Sequence, residues 1–324
     1  MSQSRRTLIV GAALAVLGSL GIASSPVAAQ AQDKPAEIRI GTQKGEFFPA
    51  VRQRRTLEEA FKPLGIEIKW IDFQFGPPLL EAINAGSVDF GFVGDSPPIF
   101  AQAGGARIRY VAAVKSEGNN QAIIVPKDSP IKTLADLRGK RIAFGKGSSA
   151  HNLLVVALEK GGLAWSDITP AALAPADATA AFVQGSVDAW SIWDPYLALA
   201  ELKQGVRVLA FDKDVHKPNA FYIASSGFAE KYPSVLARLN AAFASEGRWA
   251  DTHHEEVAKA QAEATGVDIE AVRRFVGRSS YRVVPVDEEV IKSQQAIADR
   301  FLKLGLIPKA IVVKDIVWNW TPGS

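Results

Sequence analysis

Apolar and polar positions along the chain follow two rhythms, short runs that read as strands and stripes of helical period that read as helices. Glu37-Ile38-Arg39-Ile40-Gly41 is a strand entering the polar loop Thr42-Gln43-Lys44-Gly45-Glu46, with a helix expected from Pro49. Residues 66–73 alternate as a strand that sets Ile66, Ile68 and Trp70 on one face. Gly76-Pro77-Pro78 opens a helix through Leu79, Leu80 and Ile83, and Gly86 stops it. Residues 88–93 form the next strand, and Ser96-Pro97 starts a helix closed by Gly104-Gly105.

The second half repeats this order. Arg141-Ile142-Ala143-Phe144 is a strand ending in Gly145-Lys146-Gly147-Ser148, followed by a helix over 149–160 that stops at Gly161-Gly162. Asp177 is expected to cap another helix, ended by Gly185; residues 187–192 form a strand, and Asp194-Pro195 opens a helix that ends near Gly205. Gly86-Ser87-Val88-Asp89 thus aligns with Gly185-Ser186-Val187-Asp188, and Asp95 with Asp194. Strands alternating with helices predict an α/β chain of two doubly wound lobes, and a helix start at the carboxyl end of a strand is where such sheets bind ligands. Two copies facing each other make a cleft. From about residue 231 the pattern changes to amphipathic helices, with Val235, Leu236, Leu239, Ala242 and Phe243 on one face, expected to return to the first lobe. The expected division is lobe I at 36–114 plus 229–320 and lobe II at 115–228, with hinges at 112–120 and 225–230.

Residues 1–31 stand apart. Arg5-Arg6 precede an apolar run over 8–23, then small residues around Ala29 and Ala31, the pattern of a cleavable export signal; Ser4-Arg5-Arg6-Thr7 also fits the twin-arginine route. Removing that segment takes two arginines and no acid, so the net charge falls from +3 to +1, too little to attract nucleic acid or anionic lipid. The chain has no cysteine, which excludes disulfides, thiolate metal sites and cysteine nucleophiles.

The candidate chemistry lies in the loops. Gly145-Lys146-Gly147-Ser148-Ser149-Ala150-His151-Asn152 joins a glycine-rich turn to a helix start, so free backbone N–H groups converge with the positive end of the helix dipole behind them. Such a nest suits a sulfonate, sulfate or phosphate, although a simple N-cap by Ser148 or Ser149 explains the same residues. The Walker A spacing is absent. Lys44 and Lys146 occupy equivalent loops, as ligand contacts or as solvated surface lysines. Trp190 and Trp193 replace Gly91 and Gly94 of the first copy and either wall a pocket or fill the core. Asp95 and Asp194 read first as N-caps, and without a nucleophile or metal they do not make a hydrolase. His253-His254-Glu255-Glu256 lacks the spacing of a metal site.

Taken together, IGTQKGE, LLEAINAGSVDFGFVGDSPPIFAQAGG, DSPIKTLADLRGKRIAFGKGSSAHNLL, PADATAAFVQGSVDAWSIWDPY and GLIPK resemble the aliphatic sulfonate-binding proteins of ABC importers, within the wider group that includes taurine- and nitrate-binding proteins. The resemblance implies a type II periplasmic binding protein whose two hinged lobes close on a ligand cleft. It implies a periplasmic monomer serving sulfur uptake, with no cofactor, metal or nucleic acid, that delivers sulfonate to an inner-membrane permease and its cytoplasmic ATPase. By the same resemblance Ser148, Ser149, His151 and Asn152 surround the sulfonate. Gln43, Lys44 and Gly45 face it with Gly94, Asp95 and Ser96, and Trp193 and Asp194 shape the tail side. The chain departs from the family pattern at Gly145, at Ala150, at the acidic and bulky Glu46-Phe47-Phe48 and in the loop 115–120, which opens the tail specificity to taurine, nitrate or another small oxyanion. Sulfinate desulfinases and thiamine-precursor enzymes share the fold, but the desulfinases need a cysteine that this chain lacks.

Overall fold

The structure, a computed structural model, describes residues 34–321, so the expected export signal at 1–31 lies outside the described residues. In chain order the first half runs β1 (Glu37–Thr42), α1 (Phe48–Arg54), α2 (Thr56–Phe61), β2 (Glu67–Asp72), α3 (Gly76–Asn84), β3 (Phe90–Gly94), α4 (Ser96–Ala103) and β4 (Ile108–Lys115). The middle comprises β5 (Gln121–Pro126), β6 (Arg141–Phe144), α5 (Ser149–Lys160), β7 (Thr169–Ala172), α6 (Pro175–Val183), β8 (Ala189–Trp193), α7 (Tyr196–Lys203) and β9 (Val206–Phe211). The chain ends with β10 (Asn219–Ser225), α8 (Ser226–Lys231), α9 (Pro233–Ala250), α10 (His254–Thr265), α11 (Ile269–Arg278), β11 (Val283–Val284) and α12 (Glu288–Lys303).

The strands form two sheets, in the orders β11-β4-β10-β3-β1-β2 and β7-β6-β8-β5-β9. Each holds three parallel strands, β2-β1-β3 in one and β7-β6-β8 in the other. Beside them lies an antiparallel strand that has just crossed from the opposite sheet, β10 in the first and β5 in the second. The second crossing therefore precedes β10, at residues 212–218, rather than at 225–230 as the sequence suggested; β10 reads as one more buried apolar strand, and nothing local tells which sheet receives it. Asp177 is not the cap of α6: Ala174 takes that place, and Asp177 lies in the first turn, behind Pro175.

The repeated Gly-Ser-Val-Asp phrase now has a physical meaning. Gly86 and Gly185 end α3 and α6 at φ +77° and +69°, a left-handed conformation that glycine adopts without strain. Val88 and Val187 are buried, and each aspartate then latches the neighbouring strand. Asp89 Oδ2 accepts the Arg39 backbone N–H at 2.9 Å, and Asp188 Oδ2 accepts that of Arg141 at 2.7 Å. The Arg39 guanidinium adds a two-point contact to Asp89, with bonds of 3.0 and 2.7 Å.

Helices α9, α10 and α11 bury Val235, Leu236, Leu239, Phe243, Val257, Val272 and Phe275 in the same core as Ile38, Ile40 and Phe90 of the first sheet. The second sheet carries its own cores, Ile142 and Leu154 among the residues of one and Trp190 with Phe182 in the other.

Candidate functional site

Both sheets turn the carboxyl ends of their parallel strands toward one cavity of about 110 Å³. On the first side β1 runs into the loop 43–47. The Gln43 amide donates to Glu46 Oε1 at 2.7 Å and the Gln43 side chain donates to the Phe92 carbonyl at 2.6 Å, which folds the loop down onto β3. On the second side β6 runs into Gly145 and Gly147. The Ser148 hydroxyl donates back to the Gly145 carbonyl at 2.7 Å, tightening the turn. It makes no side-chain cap; the His151 N–H closes on the Ser148 carbonyl at 2.9 Å, which leaves the Ser149 and Ala150 amide hydrogens of the first turn for a ligand.

The two sides meet closely. A β-carbon at Gly94 would stand 1.7 Å from Ser149 Oγ, and one at Gly45 would stand 2.6 Å from the Asp194 carbonyl oxygen. Only glycine permits both approaches. Trp193 reaches across to stack on Phe75, with ring centroids 6.4 Å apart.

Of the residues singled out from sequence, Gln43, Gly45 and Gly94 line the cavity from one side and Ser148, Ser149, Trp193 and Asp194 from the other. The remainder are placed elsewhere. Lys44 and Lys146 are exposed, as the solvated reading has it, and neither lines the cavity; the Lys44 carbonyl accepts from Gln261 Nε2 at 2.9 Å. Asp95 and Ser96 are fully buried beneath the loops, where Asp95 accepts from Ser96 Oγ at 2.8 Å and from Asn152 Nδ2 at 2.9 Å. Asp95 stands at the N-cap position of α4 but its carboxylate accepts no first-turn amide, and Asn152, expected at the sulfonate, ties the two sides together. His151, also expected at the sulfonate, lies among Phe100, Phe144, Trp165 and Phe301. Burial and the Lys146 charge lower its pKa to about 4, and its Nδ1 accepts the Gly147 N–H at 3.3 Å. It is a neutral ring that positions the glycine turn. Trp190 is 1% exposed and packs in the core with Phe182, which settles its two readings in favour of packing.

Residues 61–257 match the family described as NMT1/THI5 like. An Escherichia coli (strain K12) relative whose name describes it as aliphatic sulfonates-binding is 40% identical over 309 residues, covering 95% of this chain and 96% of its own. The chain belongs to the aliphatic sulfonate-binding proteins. Among solved structures, the periplasmic aliphatic sulphonate binding protein SsuA of Escherichia coli superposes with a TM-score of 0.81 at 39% identity, covering 90% of this chain and 94% of that one. The alkanesulfonate-binding protein SsuA of Xanthomonas axonopodis pv. citri bound to MOPS gives a TM-score of 0.80 at 41% identity, covering 88% and 99%. The type II periplasmic binding protein architecture follows for this member as well.

As a sulfonate-binding family member the chain has a site wider than its loop motifs. Phe275, Ser279, Ser280 and Tyr281 reach the cavity from the end of α11 and the segment after it, and Ser116 and Asn120 from the first crossing. No motif marked the α11 end; its only trace in sequence is the polar Ser279-Ser280 interrupting an amphipathic pattern. The same helix supplies Arg278, whose Nη1 lies 3.5 Å from Asp194 Oδ2 and whose Nη2 holds Glu201 at 2.5 Å. Burial raises the Asp194 pKa to about 7, against the lowering effect of Arg278 and the Ala198 N–H. That N–H donates to Asp194 Oδ1 at 2.9 Å, so Asp194 does serve its own helix start. Glu46 is 4% exposed and also lines the cavity.

Proposed function

We propose that this chain is the substrate-binding component of an importer and captures an aliphatic sulfonate between its two sheets. The observation that carries the reading is the start of α5, without a side-chain cap, facing a cavity that Phe47, Phe92, Trp193, Phe275 and Tyr281 help to line, across from Gly94 and Gly45. Converging amides and a helix dipole stabilise a permanently ionised headgroup without a metal or a neighbouring cation. The headgroup sits at Ser148 and Ser149, with Gln43, Gly45 and Gly94 opposite, while Phe47, Phe92, Trp193 and Tyr281 cover an organic tail. Nitrate has no tail to bury against those rings, which favours an organosulfonate.

The lobes of this reading are residues 36–115 with 219–320 and residues 121–211, and the crossings at 116–120 and 212–218 act as the hinge. Export to the periplasm, a monomeric state and delivery to a membrane permease with its cytoplasmic ATPase complete the proposal; the Escherichia coli relative's periplasmic description and the leader-like residues 1–31 support it. No reaction is assigned, because the chain has no cysteine for a desulfinase and its close relatives are binding proteins.

Calorimetric titration of the purified protein with alkanesulfonates and with nitrate tests the reading. Heat with the sulfonates and none with nitrate is expected. Heat with nitrate alone would move the protein to another branch of the fold.

A further inference from the structure

We propose that this protein selects sulfonates whose tail carries a protonated amine, and that Glu46 is the residue that recognises the amine. The inference rests on the sulfonate reading above and names the substrate class within it.

The lining of the cavity is unusual for an anion site. Among the described residues it contains two carboxyls, Glu46 and Asp194, and no lysine, arginine or histidine. Asp194 is compensated by Arg278 at 3.5 Å and by the Ala198 N–H. Glu46 is not. Its Oε1 accepts the Gln43 amide, while its Oε2 is buried without a hydrogen-bond partner. The groups near enough to offset its burial are the Gln43 amide and the Thr42 hydroxyl, neither of them charged, and the Thr42 hydroxyl stands beyond hydrogen-bond geometry, buried without a partner itself. The titratable group facing it from β10 is Tyr222, whose own hydroxyl is buried without a partner and whose ionisation burial and the Glu46 charge both oppose. Phe47 and Tyr281, which line the same cavity, meet with ring centroids 5.1 Å apart and add no charge.

An unpaired carboxylate in such a place is costly, so the group holds its proton until a counter-charge arrives. A plain alkanesulfonate brings none; it binds only beside a protonated Glu46. An ammonium on the tail supplies the missing cation. Glu46 then releases its proton to solvent and makes a charge-assisted hydrogen bond through Oε2, while the sulfonate keeps the amides of α5. The two ligand classes therefore respond oppositely to pH. Affinity for the amine-bearing sulfonate rises as pH rises toward the raised pKa of Glu46, and affinity for the plain one falls as Glu46 begins to ionise.

Aminopropanesulfonate and butanesulfonate have chains of equal length and form the test pair. Each is titrated calorimetrically into the mature protein over a range of pH, and at neutral pH in two buffers of different ionisation enthalpy. The expected result is binding of aminopropanesulfonate at least about tenfold tighter, with a proton release that butanesulfonate does not cause. Glu46→Gln, checked for folding by thermal melting, is expected to abolish both the preference and the proton release. Butanesulfonate binding as tightly as the amine in the wild-type protein, with no proton released by either, would overturn the inference while leaving the sulfonate reading in place. Heat from neither ligand would overturn the sulfonate reading and this inference with it.

Discussion

In the first half of the chain Leu79 of α3 lies over Gly41 and Gly91, so closely that added β-carbons would stand 2.9 and 2.7 Å from its side chain. In the second half the aligned positions are Ala178 of α6, Ala143 and Trp190, packed in one core. A large helix residue over two glycines has been exchanged for a small one over a tryptophan. The backbone devices are the same in both copies: the left-handed glycine, the buried valine and the aspartate latch. What a repeat preserves is the turn and register that build a binding edge, and close packing only requires that volume be restored.

The two aspartates at the helix starts differ as well. Asp95 meets a neutral partner across the interface, Asn152, and Gln294 Nε2 holds its carbonyl at 2.5 Å. Asp194 meets a cation, Arg278. Each half thus binds across the cleft through the aligned residue but by different chemistry, and of these two aspartates Asp194 lines the cavity while Asp95 does not.

The largest expected effect attacks the unequal roles of the two helix starts. Ser149→Asp places a carboxylate against the ligand end of α5, and sulfonate affinity should fall by about a hundredfold or more while the melting temperature hardly changes. Unchanged affinity by calorimetry would remove the α5 start from the site.

Next comes pH. Burial raises Asp194 and Asp212 from 3.8 to about 7, so the folded state binds more protons than the unfolded one and stability should fall as pH rises from about 4 to about 7. His151, lowered from 6.5 to about 4, acts oppositely and costs stability as pH falls through that range. In chemical denaturation across this range, Asp212→Asn should remove part of the decline toward neutral pH and His151→Phe should steepen it.

The volume exchange can be broken directly. Gly91→Ala should destabilise by about 2 kcal/mol, and adding Leu79→Ala should recover part of that loss as a favourable coupling of about 1 kcal/mol in a double-mutant cycle. Strict additivity would deny the exchange. The latches come last, with a comparable effect in the first copy and the smallest in the second. Asp89→Ala, which loses both the backbone acceptor and the Arg39 contact, should cost about 2 kcal/mol by urea denaturation, against about 1 kcal/mol for the more exposed Asp188→Ala.

Much of the cavity lining was legible in the sequence. The glycine turn before Ser149, the loop at Gln43–Gly45, and the paired Gly94 and Trp193 all reach the cavity, because each sits where a strand ends and a helix begins. His151, Asn152, Trp190 and the two lysines lie off the cavity lining, and the sequence did not show it. Sequence proximity to a loop does not say which way a side chain points: on α5, Ser149 faces the cavity while His151 and Asn152, one and two steps round from Ala150, turn toward Phe301 and Asp95. The α11 end was missed because its relation to the site is made entirely by folding the C-terminal helices back over the first sheet.

By itself the sequence determined the alternation of strands and helices, the repeat and the glycine-rich helix start, since these depend on periodicity and on local backbone chemistry. Tertiary structure alone decided where β10 crosses, that Arg278 pairs with Asp194 and that Glu46 is buried without a cation. Those are properties of which distant groups share a low-dielectric space, and a pairwise distance between residues far apart in the chain is not written in either one's local pattern.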